Sequence, residues 1–469
     1  MNDNEKRRYL ILLVTIIGLL IALTVYLTYF QLVNASVYKK SAQNKRNSLE
    51  QENIIRGSIY DRNGQVLAHT EKDENKNSVR IYSYPEIYSH IIGYSYKSLG
   101  KSGLELMMND YLLNQNNLGL REAAKRYLNK ESVGNSLTIT IDTSIQKKAS
   151  DLLGDRKGAI VAMNPQTGEI YAMVSKPQFN AQTLVENWDK INADKDSPLF
   201  NRAINGLYPP GSIFKVISTS AILESGIDLS YDHKAEQIID GYKFKDATDT
   251  AYGKLSLEEA FTKSLNTYFA YKIQDVGKTK LQEVSKKFMF EEKIPFELNV
   301  SVSTLNFKDK VEKTQLASTA IGQGELLATP LQMALMVSAI ANKGVMMEPY
   351  LVEKIESFDK TREETREPKI LSEVLEEDKA ELIKELMILA TNEGTAKKAA
   401  LKNIQVAGKT GTAQNAGEST HAWYVGFAPA ENPVVAISII IEQGGSGGKE
   451  AAPIAKEIFK EIFNNISMN

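Results

Sequence analysis

A serine three residues before a lysine on a helix puts a hydroxyl and an amine one turn apart on one face, where the amine can take the hydroxyl's proton and create a nucleophile. The spacing alone says little. It occurs six times in this chain, beginning at Ser36, Ser98, Ser144, Ser212, Ser357 and Ser446. Only Ser212 directly follows a rigid turn, Pro209-Pro210-Gly211, and opens an apolar helical pattern through Ile213, Phe214, Val216 and Ile217. The helix dipole and free backbone N–H groups at such a start favour developing negative charge. Burial of Lys215 in the same helix lowers its proton affinity and suits it to act as the base for Ser212. Most Ser-x-x-Lys tetrapeptides are nothing more than a helix cap followed by a solvated lysine, so other residues must decide.

Two further groups do so. Ser264-Leu265-Asn266 offers a hydroxyl that can relay a proton and an amide that can hold a substrate carbonyl. Lys409-Thr410-Gly411-Thr412 offers a cation, two hydroxyls and a strand edge against which a peptide can pair. Each group is weak by itself, since Ser-x-Asn recurs at Ser467 and Lys-Ser-Gly recurs at Lys101 to Gly103. Specificity lies in the order, Ser-x-x-Lys, Ser-x-Asn, Lys-Thr-Gly, with each group in a suitable element of one domain.

Other chemistries fit poorly. The four histidines, His69, His90, His233 and His421, form no two-histidine helical pattern of a zinc hydrolase, and each is expected to be structural. Neither a metal nor a cofactor is expected. Gly408-Lys409-Thr410 resembles the end of a phosphate loop, but Asn403 stands where its first glycine belongs. Cysteine is absent, which removes disulfides, thiol catalysis and thiolate metal sites. With 56 Lys plus Arg against 58 Asp plus Glu, the net charge of -2 gives no electrostatic case for nucleic acid as a partner.

The elements that must position these residues can also be read. The chain's 469 residues suggest two or three folded units. Lys6, Arg7 and Arg8 precede a stretch from Tyr9 to Tyr38 without a charged residue, and 9–30 is long and apolar enough for a transmembrane helix. The basic triplet favours an inside N-terminus, with residues 1–8 as a cytoplasmic tail. Val33 and Ala35 resemble a cleavage site, but the apolar run exceeds a signal peptide's, so an uncleaved anchor is expected. Residues 31–136 read as a small mixed domain containing the turn Asn63-Gly64, and 137–469 as the catalytic domain. In the latter, hairpins are expected from Ala159 to Val174 and from Ala422 to Ile441, with helices over Ser212 to Glu224, Thr329 to Asn342 and Ala452 to Phe463. The fold class is α+β, with a central antiparallel sheet flanked by helices. Lys354 to Lys384 reads as a solvated surface insertion, and Gly444 to Gly448 as a mobile loop.

Taken together, these groups resemble the class B penicillin-binding proteins, the monofunctional peptidoglycan D,D-transpeptidases, over nearly the whole chain. Arg56-Gly57, Asp61-Arg62-Asn63-Gly64 and Gly100 to Glu105 are similar to that family's pedestal signatures. Gly158 to Gly168, Gly322-Gln323-Gly324 and Thr329-Pro330-Leu331-Gln332 are similar to its recurrent catalytic-domain segments. The resemblance implies that Ser212 attacks the penultimate D-alanine carbonyl of a stem peptide, with Lys215 taking the proton, Ser264 relaying one and Asn266 orienting the acyl chain. It also implies that Lys409, Thr410 and Thr412, around Gly411, hold the substrate carboxylate, and that the N–H groups of Ser212 and Thr412 form the oxyanion hole. Peptidoglycan stem peptides and β-lactams are the implied ligands. A bacterial membrane, a membrane-embedded glycosyltransferase and other wall-synthesis proteins are the implied partners, with the catalytic domain extracytoplasmic. A β-lactamase, a β-lactam sensor, a D,D-carboxypeptidase and a non-enzymatic scaffold remain alternatives. Against the first, Pro295 occupies the position of the deacylating glutamate ahead of Leu298-Asn299.

Overall fold

A computed structural model describes residues 2–29, 54–115, 132–415 and 419–465. The described residues up to Ile55, with 132 and 133, form one compact unit, and the remainder form a second. In the first unit, Asp3–Tyr29 is one helix. By length and composition, Lys6–Tyr29 is able to cross a membrane. Phe30, Val33 and Ala35 lie outside the described residues.

The second unit is built on two sheets. A five-stranded antiparallel sheet has the order Ile170–Lys176, Gly158–Met163, Val435–Ile441, His421–Ala428, Ala407–Ala413. Gly158–Met163 and Val435–Ile441 are buried at every position, which their unbroken apolar runs require of strands covered on both faces. One cover is Pro330–Ala341, a helix apolar all round and buried throughout. The opposite face packs on Thr143–Leu153 and the C-terminal helix Gly447–Asn465. Both expected hairpins are present. The strand carrying Lys409 lies at the sheet's end.

The six-stranded sheet is mixed, in the order Glu363–Thr365, Val352–Glu356, Ser136–Ile139, Ile59–Tyr60, Val66–Lys72, Ser78–Tyr82. Its one parallel ladder joins Ile59–Tyr60 to Ser136–Ile139. The pedestal signatures have structural reasons here. Asp61 holds its turn by accepting from the backbone N–H groups of Asn63 at 2.9 Å and Gln65 at 2.8 Å. Glu105, fully buried, is paired with both Arg56 and Arg80.

Two expectations are corrected. Lys354 to Lys384 is no solvated insertion, because Val352–Glu356 pairs inside the sheet and Glu377–Asn392 is a helix burying Ala380, Ile383, Leu386, Met387 and Ala390. That helix packs against the strand Ala407–Ala413. Its charges mask an apolar stripe of helical spacing. Nor is Gly444 to Gly448 a loose loop throughout, since the last helix already begins at Gly447 rather than at Ala452. A Cβ on Gly447 would lie 2.1 Å from the Trp423 carbonyl oxygen and 2.4 Å from that of Gly411, so glycine is needed for close packing.

Candidate active site

Ser212 lies in a 3-10 turn, Gly211–Phe214, that runs directly into the helix Lys215–Ser225. From Gly211 to Ile222 it is the single residue that is not buried. The approach to it is fixed on both sides. The Gly211 N–H donates to the Gly322 carbonyl at 2.8 Å, and the Trp423 indole N–H donates to the Pro209 carbonyl at 3.0 Å. Gly211 has φ +58°, and a Cβ there would meet the Thr412 carbonyl oxygen at 2.7 Å. A Cβ on Gly322 would meet the Gly211 oxygen at 1.9 Å, which gives Gly322-Gln323-Gly324 its physical reason. The Ser212 turn is thereby seated against the end strand that carries Lys409 to Thr412.

Ser264 is positioned by a helix end. The helix Leu257–Thr262 is closed by two bonds, Ser264 N–H to the Phe261 carbonyl at 3.0 Å and Leu265 N–H to the Ala260 carbonyl at 2.9 Å. This pattern requires a left-handed residue, ordinarily glycine, and Ser264 occupies it with φ +57°. A serine held in that conformation directs both its carbonyl and its hydroxyl at lysines, and such strain is typical of functional sites. The Ser264 carbonyl accepts from Lys215 Nζ at 2.7 Å, while its Oγ lies 2.8 Å from Lys409 Nζ and 3.3 Å from Lys215 Nζ. Asn266 opens the next helix, Asn266–Lys287. Its Oδ1 accepts from Lys215 Nζ at 2.8 Å and its Nδ2 donates to the Lys245 carbonyl at 2.9 Å. The second N–H of that amide is left for a substrate.

Both lysines are fully buried, with the rings of Phe269 and Phe261 near their respective amines. Burial pushes the Lys215 amine well below the ordinary lysine range, Lys409 pushes it further, and Asp246 opposes them. Burial alone brings Lys409 down to about 7. The shift favours the neutral form of the Lys215 amine, which has two N–H bonds and one lone pair. Its two strong contacts, the Ser264 carbonyl and Asn266 Oδ1, consume the N–H groups. The lone pair remains to accept a proton, which is the state a base for Ser212 needs.

Burial of Lys409 has a cost that can be measured. Between pH 7 and 10.5 the unfolded chain takes up a proton that the native lysine refuses, so stability falls as pH drops through that window. The penalty, on the order of a few kcal/mol, is absent above the unfolded value and complete below about 7. Lys409→Met is accordingly expected to raise the melting temperature by several degrees at pH 7.5, with the gain shrinking towards pH 10.5. Melting curves of the full-length chain across pH check this, and a lowered melting temperature at pH 7.5 would contradict it.

The structure thus joins Lys215, Ser264, Asn266 and Lys409 by direct hydrogen bonds and places Ser212 and Thr412 at their accessible margin, Thr412 being exposed. Thr410 differs. It is buried, strand alternation puts it on the opposite face from Lys409, and its hydroxyl bonds that of Thr395 at 2.6 Å. Sequence reasoning missed Thr395, Trp423 and the Lys245 carbonyl, none of which carries a local signal. Glu297, near the position where a deacylating carboxylate was sought, instead accepts the backbone N–H groups of Leu351 and Val352.

Comparison with known proteins agrees with this geometry. Residues 158–460 match the penicillin binding protein transpeptidase domain, and 56–137 match the penicillin binding protein A dimerisation domain. The peptidoglycan D,D-transpeptidase PbpA of Mycolicibacterium smegmatis is 32% identical, over 94% of this chain and 96% of its own length. Penicillin-binding protein A of Mycobacterium tuberculosis, solved as a ceftriaxone acyl-enzyme, superposes with a TM-score of 0.82 at 30% identity, over 88% of this chain and 100% of that one. Its penicillin G acyl-enzyme gives 0.80 at 30% identity, over 87% and 99%. With a transpeptidase domain across most of its length that contains the serine–lysine site, and a matching dimerisation domain ahead of it, the chain belongs to the class B penicillin-binding proteins.

Proposed function

We propose that the protein is a peptidoglycan D,D-transpeptidase that cross-links stem peptides through an acyl-enzyme on Ser212. The observation that carries this reading is the cluster of buried Lys215 and buried Lys409 joined through Ser264, beside a partly exposed serine. Ser212 attacks the carbonyl of the penultimate D-alanine, and its proton passes to Lys215. The C–N bond to the terminal D-alanine breaks, and Ser264, lying between the two lysines, delivers a proton to the departing amine. The N–H groups of Ser212 and Thr412 hold the oxyanion, Asn266 orients the acyl chain, and Lys409 and Thr412 hold the terminal carboxylate, with Thr410 and Gly411 shaping the strand. The amine of a second stem peptide then attacks the ester and regenerates Ser212. β-Lactams enter by the same route. Glu297 is committed to backbone N–H groups, so it favours a transferase over a β-lactamase.

The N-terminal helix, charge-free over Tyr9–Tyr29, supports a membrane anchor with residues 1–8 cytoplasmic and the pedestal, 31–136, and transpeptidase domain, 137–469, on the outer face. A membrane-embedded glycosyltransferase is the proposed partner that polymerises the strands. Carbonate-washed membranes carrying the full chain, given a D-alanyl-D-alanine stem peptide and an acceptor amine, should release D-alanine and form the cross-linked dimer. Release without dimer would make the enzyme a carboxypeptidase, and activity found only in the wash would remove the anchor.

A further inference from the structure

Behind Asn266 lies a buried group that the reaction above does not use. The strand Tyr231–His233 and the hairpin Glu236–Ile239 with Tyr242–Lys245 stand beside the start of the helix Asn266–Lys287. That helix has Leu265 at its N-cap and no side-chain cap of its own. Asp246, with its side chain 2% exposed, takes this role from another segment. Its Oδ1 accepts from the Thr267 N–H at 3.1 Å, and its Oδ2 accepts from the Thr267 hydroxyl at 2.8 Å. Oδ2 also lies 2.8 Å from Nε2 of His233, whose side chain is wholly buried.

The tautomer of His233 follows from its other nitrogen. The Tyr252 backbone N–H donates to Nδ1 at 3.2 Å, so Nδ1 carries no proton and Nε2 carries the one given to Asp246. The rings of Tyr231 and Tyr252 lie 6.1 and 5.2 Å from the imidazole. Asp246 is flanked directly by Lys245, whose carbonyl receives Asn266 Nδ2. The carboxylate therefore ties Thr267 to one end of a short span and the Lys245 carbonyl to the other, with Asn266 between them. Rotation of the Asn266 amide would present an NH2 group to Lys215 and an oxygen to the Lys245 carbonyl, and this clamp opposes it.

We propose that His233 is a positioning residue of the transpeptidase site, acting through Asp246 to hold the Asn266 amide in the orientation that serves Lys215 and the acyl chain. The inference rests on the function proposed above and adds a residue that the three motifs do not contain.

The test uses the full-length chain in detergent and the second-order rate of acylation by a fluorescent penicillin, with a thermal melt of each variant. His233→Phe is expected to acylate between about tenfold and about a hundredfold more slowly. His233→Gln, whose side-chain N–H can still reach Asp246, should recover most of that loss. In the background of Asn266→Ala, His233→Phe should cost nothing further, because the group it positions is gone. Additive losses in the double variant, or a glutamine variant as slow as the phenylalanine one, would overturn the proposal. If His233→Phe does not fold, the same cycle is read with Asp246→Asn, which offers one acceptor oxygen to three donors, and the same outcomes decide. An unreactive wild type would sink the transpeptidase reading itself, whereas unaffected variants of a reactive wild type would sink only this one.

Discussion

Lys215→Arg should abolish acylation of Ser212 by penicillin, with a loss of at least about a thousandfold, while Lys409→Arg should remain measurably reactive. Charge alone would treat these two residues alike. The structure separates them. Lys215 must supply a lone pair, and burial and the neighbouring Lys409 lower its proton affinity so that the neutral form is favoured. A guanidinium cannot lose its proton at working pH, so arginine there has no base to offer. Lys409 instead donates to Ser264 Oγ at 2.8 Å, and arginine preserves a donor there. Its larger head must fit a fully buried position, so a loss of roughly tenfold to a hundredfold is expected there. Acylation rates of the two folded variants check the division of labour. Equal losses would remove it.

The sequence made the chemistry legible to the extent that the chemistry is written in contiguous side chains. Ser212 and Lys215 were placed by a Pro-Pro-Gly turn before an apolar helix, and both hairpins of the large sheet by their turns and apolar runs. What remained hidden depends on approach in space. Nothing around Ser264 announces that a serine closes a helix in the conformation usual for glycine, although this aims its carbonyl at one lysine and its hydroxyl at the other. Gly447 read as flexibility because its neighbours are glycines and a serine, whereas the close backbones of Trp423 and Gly411 make it a packing residue. The helix Glu377–Asn392 was obscured by its own charge content, yet Ala380, Ile383, Met387 and Ala390 already carry the helical period and were the available signal. His233 was expected to be merely structural. Its link to Asp246, 13 residues on, is made by a hairpin fold that local pattern does not reveal.

Ser212 should become acylated by penicillin, and the site should keep the acyl group. In the proposed reaction penicillin would present its carboxylate near Lys409 and Thr412 and its strained carbonyl to Ser212, so the ring should open as the serine's proton passes to Lys215. The opened ring stays tethered as the leaving group and obstructs an incoming amine. Glu297, which might have been suspected of activating water, is occupied by the N–H groups of Leu351 and Val352. The adduct should therefore outlast a normal turnover by many fold. Intact-mass spectrometry of the full-length chain after penicillin treatment is the most direct measurement. The predicted result is one added drug mass that persists, maps by digestion to the peptide carrying Ser212, and is absent from Ser212→Ala. Rapid return to the unmodified mass with accumulation of hydrolysed drug, or no adduct on a folded protein, would contradict the account.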